Sequence, residues 1–96
     1  MLPLIACKLG PGAQRRRLEA WTSLLAFAVS RRDVEGGVRY TFEPPAAFEE
    51  RARRLAAAEH ECCSFLQFEV TRIGNGLVMT VTADPAAQEA LRSVFV

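Results

Sequence analysis

Two stretches of the chain alternate apolar and polar residues on either side of a glycine-containing turn. Each is typical of a β-hairpin that buries one face and exposes the other to water. The first covers 29–43, contains a Gly-Gly turn, and is predicted to bury Val38, Tyr40 and Phe42. A chain of 96 residues has room for one core, so we expect a single domain over 1–96.

The second predicted hairpin has strands at 68–72 and 78–82 around the dipeptide Asn75-Gly76. Asn-Gly favours a two-residue loop because both loop positions need positive φ. That loop predicts two cross-strand pairs, Val70 with Val81 and Arg72 with Met79. It also predicts one buried face, made of Phe68, Val70, Met79 and Val81.

Amphipathic helical stretches precede each hairpin, and a third follows the second. Apolar residues recur at helical spacing over 13–28 and over 46–65, and Asp84-Pro85 is typical of the start of a helix. An apolar stretch over 2–9 predicts a buried strand. The order βαββαββα begins with the six elements of a split βαβ sandwich. We therefore expect an α+β fold: a ferredoxin-like βαββαβ sandwich with an extra hairpin strand and a C-terminal helix.

Charge and composition exclude several kinds of partner. Twelve basic side chains nearly balance eleven acidic ones, for a net charge of +1, so there is no electrostatic footprint for nucleic acid or an anionic membrane. No apolar run approaches the roughly 20 residues of a membrane-spanning helix. We therefore expect neither nucleic acid nor a membrane as partner. The apolar segment before Cys7 is too short for a secretion signal and has no basic leader. Together with an odd number of cysteines, this favours a cytoplasmic protein with free thiols.

The cysteines are the side chains with the most distinctive chemistry. Cys7 lies near the end of the predicted first strand, and Cys62 and Cys63 lie near the end of the second helix. In a ferredoxin-like sheet these two places are neighbours, so we expect the thiols to converge. Thiolates are soft ligands that bind zinc, mercury or arsenite. The candidate metal ligands are Cys7, Cys62, Cys63 and Glu59.

Glu59 is a candidate because it interrupts the apolar stripe of the second helix, one turn before Cys62. A carboxylate on a buried stripe is costly unless it is paired, protonated or bound to a metal. Pairing with an arginine such as Arg72 is the alternative. His60, one turn before Cys63, is a weaker candidate, because a single histidine near a helix end is more often exposed or satisfied structurally than a ligand. The basic run Arg15–Arg17 is interpreted as a solvated helix start.

The segment from Ala58 to Phe68 resembles one found in a family of small, uncharacterised bacterial proteins. Its pattern is E-x-x-C-C-[SP]-F-x-x-F, and the early Cys7-Lys8-Leu9 and the Gly36–Arg39 turn and strand match the same family. Similar segments are associated with regulators of the mercury-resistance type. The resemblance covers most of the chain and implies a site at Cys7, Glu59, Cys62 and Cys63; it does not require His60.

Three functions remain open from the sequence. The first is a small cytoplasmic domain that binds a soft metal or metalloid ion through its cysteines. The second is a thiol redox enzyme or sensor, with Cys62 or Cys63 as nucleophile, Glu59 or His60 as base, and Cys7 as resolving thiol. The third is a structural or protein-interaction module whose cysteines pack as core residues, dimerising through a sheet edge. No catalytic triad, acid pair or cofactor motif is present to decide whether the chain is an enzyme.

Overall fold

The computed structural model describes residues 11–43, 47–62 and 64–95, so the strand predicted over 2–9 lies outside the described residues. Within these ranges three α-helices and four strands follow one another, with a short 3₁₀ turn at Pro85–Ala87 before the last helix. In chain order they are α1 (Pro11–Leu25), β1 (Ala28–Val34), β2 (Gly37–Phe42), α2 (Phe48–Cys62), β3 (Leu66–Ile73), β4 (Gly76–Ala83) and α3 (Gln88–Val94).

The four strands form one antiparallel sheet in the order β1-β2-β4-β3, and the α+β class is confirmed. The ferredoxin-like order differs from this arrangement, because it needs the strand 2–9 between β2 and β3. In the described sheet β4 occupies that place and pairs with both neighbours. The physical reason is the apolar face of β4: Leu77, Met79 and Val81 are 0% exposed, so a central position removes them from water.

The β3–β4 hairpin turns one residue earlier than Asn-Gly predicts. Ile73 pairs with Gly76, and Gly74 adopts the positive φ of 61° that the turn requires. Val70 therefore faces Met79 rather than Val81, so the predicted register is wrong by two residues. A shift of two keeps every side chain on its face. The predicted face accordingly lies toward the core, with Met79 and Val81 buried and Phe68 and Val70 half-buried against it.

The β1–β2 hairpin closes at the pair formed by Val34 and Gly37, around a loop that contains Gly36 at φ 78°. The predicted alternation of β2 is confirmed, since Val38, Tyr40 and Phe42 are all buried. Exposed or half-exposed residues lie between them, on the opposite face of the sheet.

The helices cover the face of the sheet that carries these apolar side chains. Trp21 and Leu24 of α1 and Phe95 after α3 join the same core. Helix α1 ends at Leu25, short of the predicted end, because the chain turns there and enters β1. Asp84 precedes the 3₁₀ turn, but its side chain makes no capping hydrogen bond. No helix within the described ranges is long and apolar enough to cross a membrane.

Candidate functional site at the end of helix α2

Helix α2 carries the candidate residues on its last turn. Its buried face begins with Phe48 and continues through Ala52 and Ala56 to Glu59, at the spacing of a helix that packs on a sheet. Cys62 is the last residue of α2, one turn beyond Glu59. The backbone therefore sets Glu59 and Cys62 on the same side of the helix, as the spacing predicts.

Glu59 is only 4% exposed, and two donors from α1 reach it. The indole Nε1 of Trp21 donates a hydrogen bond of 2.8 Å to Oε1, and Nη1 of Arg17 lies 3.3 Å from the same oxygen. Arg17 and Trp21 are four residues apart, so one face of α1 presents both donors. A buried carboxylate with a cation and a neutral donor is satisfied without a metal ion.

Trp21 is held from both sides by aromatic rings. Its indole stacks on Phe68 of β3 with ring centroids 5.6 Å apart, and Phe95 meets it edge-on at 4.8 Å. These contacts fix the direction of Nε1–H. The position of the Glu59 carboxylate is therefore set by α1, β3 and the end of α3 together.

His60 points to a different side of α2. Its Nδ1 lies 2.7 Å from the carbonyl oxygen of Leu66, an acceptor, so Nδ1 carries the proton in this bond. Nε2 is then the ring nitrogen that can accept a proton or bind a metal. The imidazole lines a groove of about 300 Å³ between α2 and β3, with polar groups from Arg53 and Gln67 and a floor of Ala56, Ala57, Phe68 and Val70.

The proposed ligands are not all within the described part of the chain. Cys7 and Cys63 lie outside it, as does the side chain of Cys62. Among the described residues, no group of three or more histidine, cysteine or acidic side chains has the arrangement of a metal site. Of the four predicted ligands, only Glu59 has a described side chain, so the convergence of the thiols stays a prediction.

Glu59 pairs with an arginine, as the alternative predicts, but the arginine is not Arg72. Arg72, on β3, donates from Nε to Oε1 of Glu49 at 2.8 Å, and Glu49 also accepts a hydrogen bond from Arg53. These two hydrogen bonds lower the pKa of Glu49, that from Arg53 most. The arginine that meets Glu59 is Arg17, which the sequence places in a solvated basic run.

Arg17 and Trp21 are the functional residues that the sequence did not reveal. Arg15 and Arg16 are exposed as predicted, whereas Arg17 is half-buried. The available signal was the spacing of four residues between Arg17 and Trp21, opposite a carboxylate on another helix. It could not be interpreted without knowing that α1 and α2 are neighbours.

A second concavity, of about 410 Å³, lies between the β1–β2 hairpin and α3. Arg31 and Asp33 line it on the strand side, and Gln88 and Arg92 on the helix side. Gln88 is committed there, since its Nε2 donates to the carbonyl oxygens of Gly36 and Ala83. The first bond joins the start of α3 to the β1–β2 hairpin, and the second joins it to the end of β4.

Comparisons with models of protein families, with curated proteins and with solved structures give no match to this chain. The chemistry of Glu59, its partners and the cysteines is therefore the basis for a function.

Proposed function

We propose that this protein binds a soft metal or metalloid ion, of the kind represented by Zn²⁺, Hg²⁺ and arsenite, through Cys7, Cys62 and Cys63. Three thiolates satisfy a three-coordinate soft ion, and one further donor completes a tetrahedral zinc site. The observation that carries the proposal is the fixed carboxylate of Glu59, buried one turn before Cys62.

Glu59 has a defined place in this proposal. Trp21 and Arg17 both donate to Oε1, so the oxygen that would act as fourth ligand is Oε2. A guanidinium beside a thiol favours the thiolate, so Arg17, which bonds to Glu59, would have this second role in the proposed site. This positive charge opposes the negative end of the α2 dipole, which disfavours thiolates at a helix C-terminus.

The proposal requires Cys7 to reach the end of α2. Strand β3 begins four residues after that end, and its outer edge has no partner among the described strands. A strand over 2–9 running antiparallel along this edge would bring Cys7 to the start of β3. In this placement the strand 2–9 would lie beside β3, as a ferredoxin-like fold requires, although the order of the strands differs from that fold.

A second candidate is a structural or protein-interaction domain in which the cysteines are core residues. It is favoured by the two partners of Glu59, which account for its burial without any ion. The thiol redox hypothesis is the third. It requires a reactive cysteine beside a base, and Nε2 of His60 is the base it would use.

Native mass spectrometry of the reduced protein with Zn²⁺, Hg²⁺ or arsenite tests the proposal. We expect one ion per chain for the natural protein and none for the triple variant C7S/C62S/C63S, with folding of both verified by circular dichroism. Equal uptake by the triple variant, or no uptake by the natural protein, would contradict it. Loss of two mass units on mild oxidation, with no ion bound, would instead support the redox hypothesis.

The variant Glu59→Gln separates ligation from packing, because its amide oxygen still accepts from Trp21 and Arg17. Weaker zinc binding than in Glu61→Gln, a matched change at an exposed position two residues away, is expected if Glu59 is a ligand. Equal binding by the two variants would show that Glu59 is purely structural.

A further inference from the structure

Strand β1 forms an outer edge of the sheet, at the opposite side from β3. Five of its seven residues are exposed, and no strand within the described ranges pairs with its outer side. Two exposed large apolar side chains adjoin this edge: Phe27 is 47% exposed and Val29 is 56% exposed. An open edge of this kind is a template for pairing with another strand.

The register of the hairpin determines which backbone groups of β1 point outward. In a two-residue hairpin the pair that closes the loop, here Val34 and Gly37, is hydrogen bonded. Hydrogen-bonded and non-hydrogen-bonded pairs alternate, so Arg32 also bonds inward. The outward N–H and C=O groups therefore belong to Arg31 and Asp33.

These two residues make the edge self-complementary. An antiparallel pairing of two copies centred on Arg32 sets Arg31 of each copy directly opposite Asp33 of the other. Both residues have outward backbone groups, so each of these positions is a hydrogen-bonded pair with opposite charges. Solvent reaches both side chains, which are 40% and 82% exposed, and within one chain their opposite charges already attract each other at 3.3 Å.

The other edge lacks this property. By the same alternation, the outward backbone groups of β3 belong to Phe68, Val70 and Arg72. Pairing of two copies there, centred on Val70, opposes Arg72 to Phe68 and brings no charges of opposite sign together. The charge pattern therefore selects β1.

We infer that the chain forms a two-fold symmetric homodimer through β1, with a continuous sheet that joins the four described strands of each copy and two reciprocal Arg31–Asp33 pairs. One feature opposes it. Arg32 meets Arg32 of the second copy across the axis, and Arg39 lies beside each on the same face. Replacing Arg32 by serine removes this repulsion and is expected to tighten the dimer. This edge is opposite β3, so the proposed dimer does not depend on the thiols.

Sedimentation equilibrium of the natural protein and of charge-reversed variants tests the inference. We expect Arg31→Asp and Asp33→Arg each to weaken dimerisation by about 10-fold or more, because like charges then face each other twice. The control is Arg54→Asp on α2, an exposed arginine away from β1, which should dimerise like the natural protein.

Mixing the two single variants gives the decisive result. In their heterodimer both pairs between positions 31 and 33 again join opposite charges, so an equimolar mixture should dimerise more strongly than either variant alone. Both variants lack the Arg31–Asp33 ion pair within one chain, so that ion pair cannot account for dimerisation restored in the mixture. A monomeric natural protein, or a dimer that neither charge reversal weakens, would overturn the inference.

Discussion

The indole nitrogen of Trp21 donates a 2.8 Å hydrogen bond to the carboxylate of Glu59, joining two helices across 38 residues of sequence. Arg17 adds a cation to the same oxygen, and Phe68 holds the indole in place. The last turn of α2 is therefore attached to α1 by a polar contact inside the core. Any function at Cys62 acts beside this contact.

Replacing Glu59 by alanine should destabilise the fold by about 2–4 kcal/mol, because it leaves the Trp21 N–H and the Arg17 charge without their acceptor. Glu59→Gln keeps an acceptor oxygen and should lose less. Urea denaturation followed by the fluorescence of Trp21, the chain's only tryptophan, measures both. Glu61→Ala, at an exposed position, is the control. An equal loss of stability in this control would show that the contact of Glu59 with Trp21 and Arg17 does not stabilise the fold.

Gly37→Ala should destabilise the sheet by about 1–3 kcal/mol or more, because β2 and β4 approach closely there. An added Cβ would overlap the carbonyl oxygen of Val81 and lie 2.8 Å from Cα of Thr82. Gly12→Ala in α1 is the matched control, since its Cβ would meet only Arg16 at an ordinary 3.7 Å. Thermal unfolding of the two variants compares them. A Gly37→Ala protein as stable as Gly12→Ala would contradict the register of β2 against β4.

Tyr40 should ionise above its ordinary pKa of 10.0. Burial raises the pKa of its phenol, and the Arg31 guanidinium offsets part of the rise. The folded state thus favours the neutral phenol, so this stabilisation is present below pH 10 and is lost as pH rises through the folded-state pKa. Tyr40 is the only tyrosine, so phenolate absorbance reports it directly. Arg31→Gln should move the transition to still higher pH; ionisation at the ordinary value would refute the buried position.

Glu49 should make stability fall in acid. Hydrogen bonds from Arg53 and Arg72 lower its pKa below 4.5, so the folded state favours the carboxylate. Its contribution is present above the unfolded-state pKa and is lost as pH falls through the folded-state value. Unfolding measured between pH 3 and 6 should therefore be less pH-dependent in Glu49→Gln than in the natural protein. Equal pH dependence in Glu49→Gln and in the natural protein would contradict this role of Glu49.

Local patterns in the sequence predict local structure well in this chain. The alternation through Val38, Tyr40 and Phe42 gives the buried face of β2, and Glu49 and Glu50 pair four residues onward as their spacing suggests. Both follow from the periods of strands and helices alone.

The strand order and the partner of Glu59 could not be predicted in the same way. Each depends on contacts between distant segments: β4 takes its central place because its inward face is the most apolar, and Arg17 meets Glu59 because α1 and α2 pack together. Sequence spacing predicts that Glu59 is buried and needs a partner. The spacing alone does not indicate whether that partner is Arg17 or Arg72.

Counting reactive thiols in the folded, reduced protein, before and after one equivalent of Hg²⁺ or arsenite, tests the proposed function most directly. The account predicts that one ion protects Cys7, Cys62 and Cys63 together, and that a chelator restores all three. Thiols that react only after unfolding, whether or not the ion is present, would contradict it and identify the cysteines as core residues.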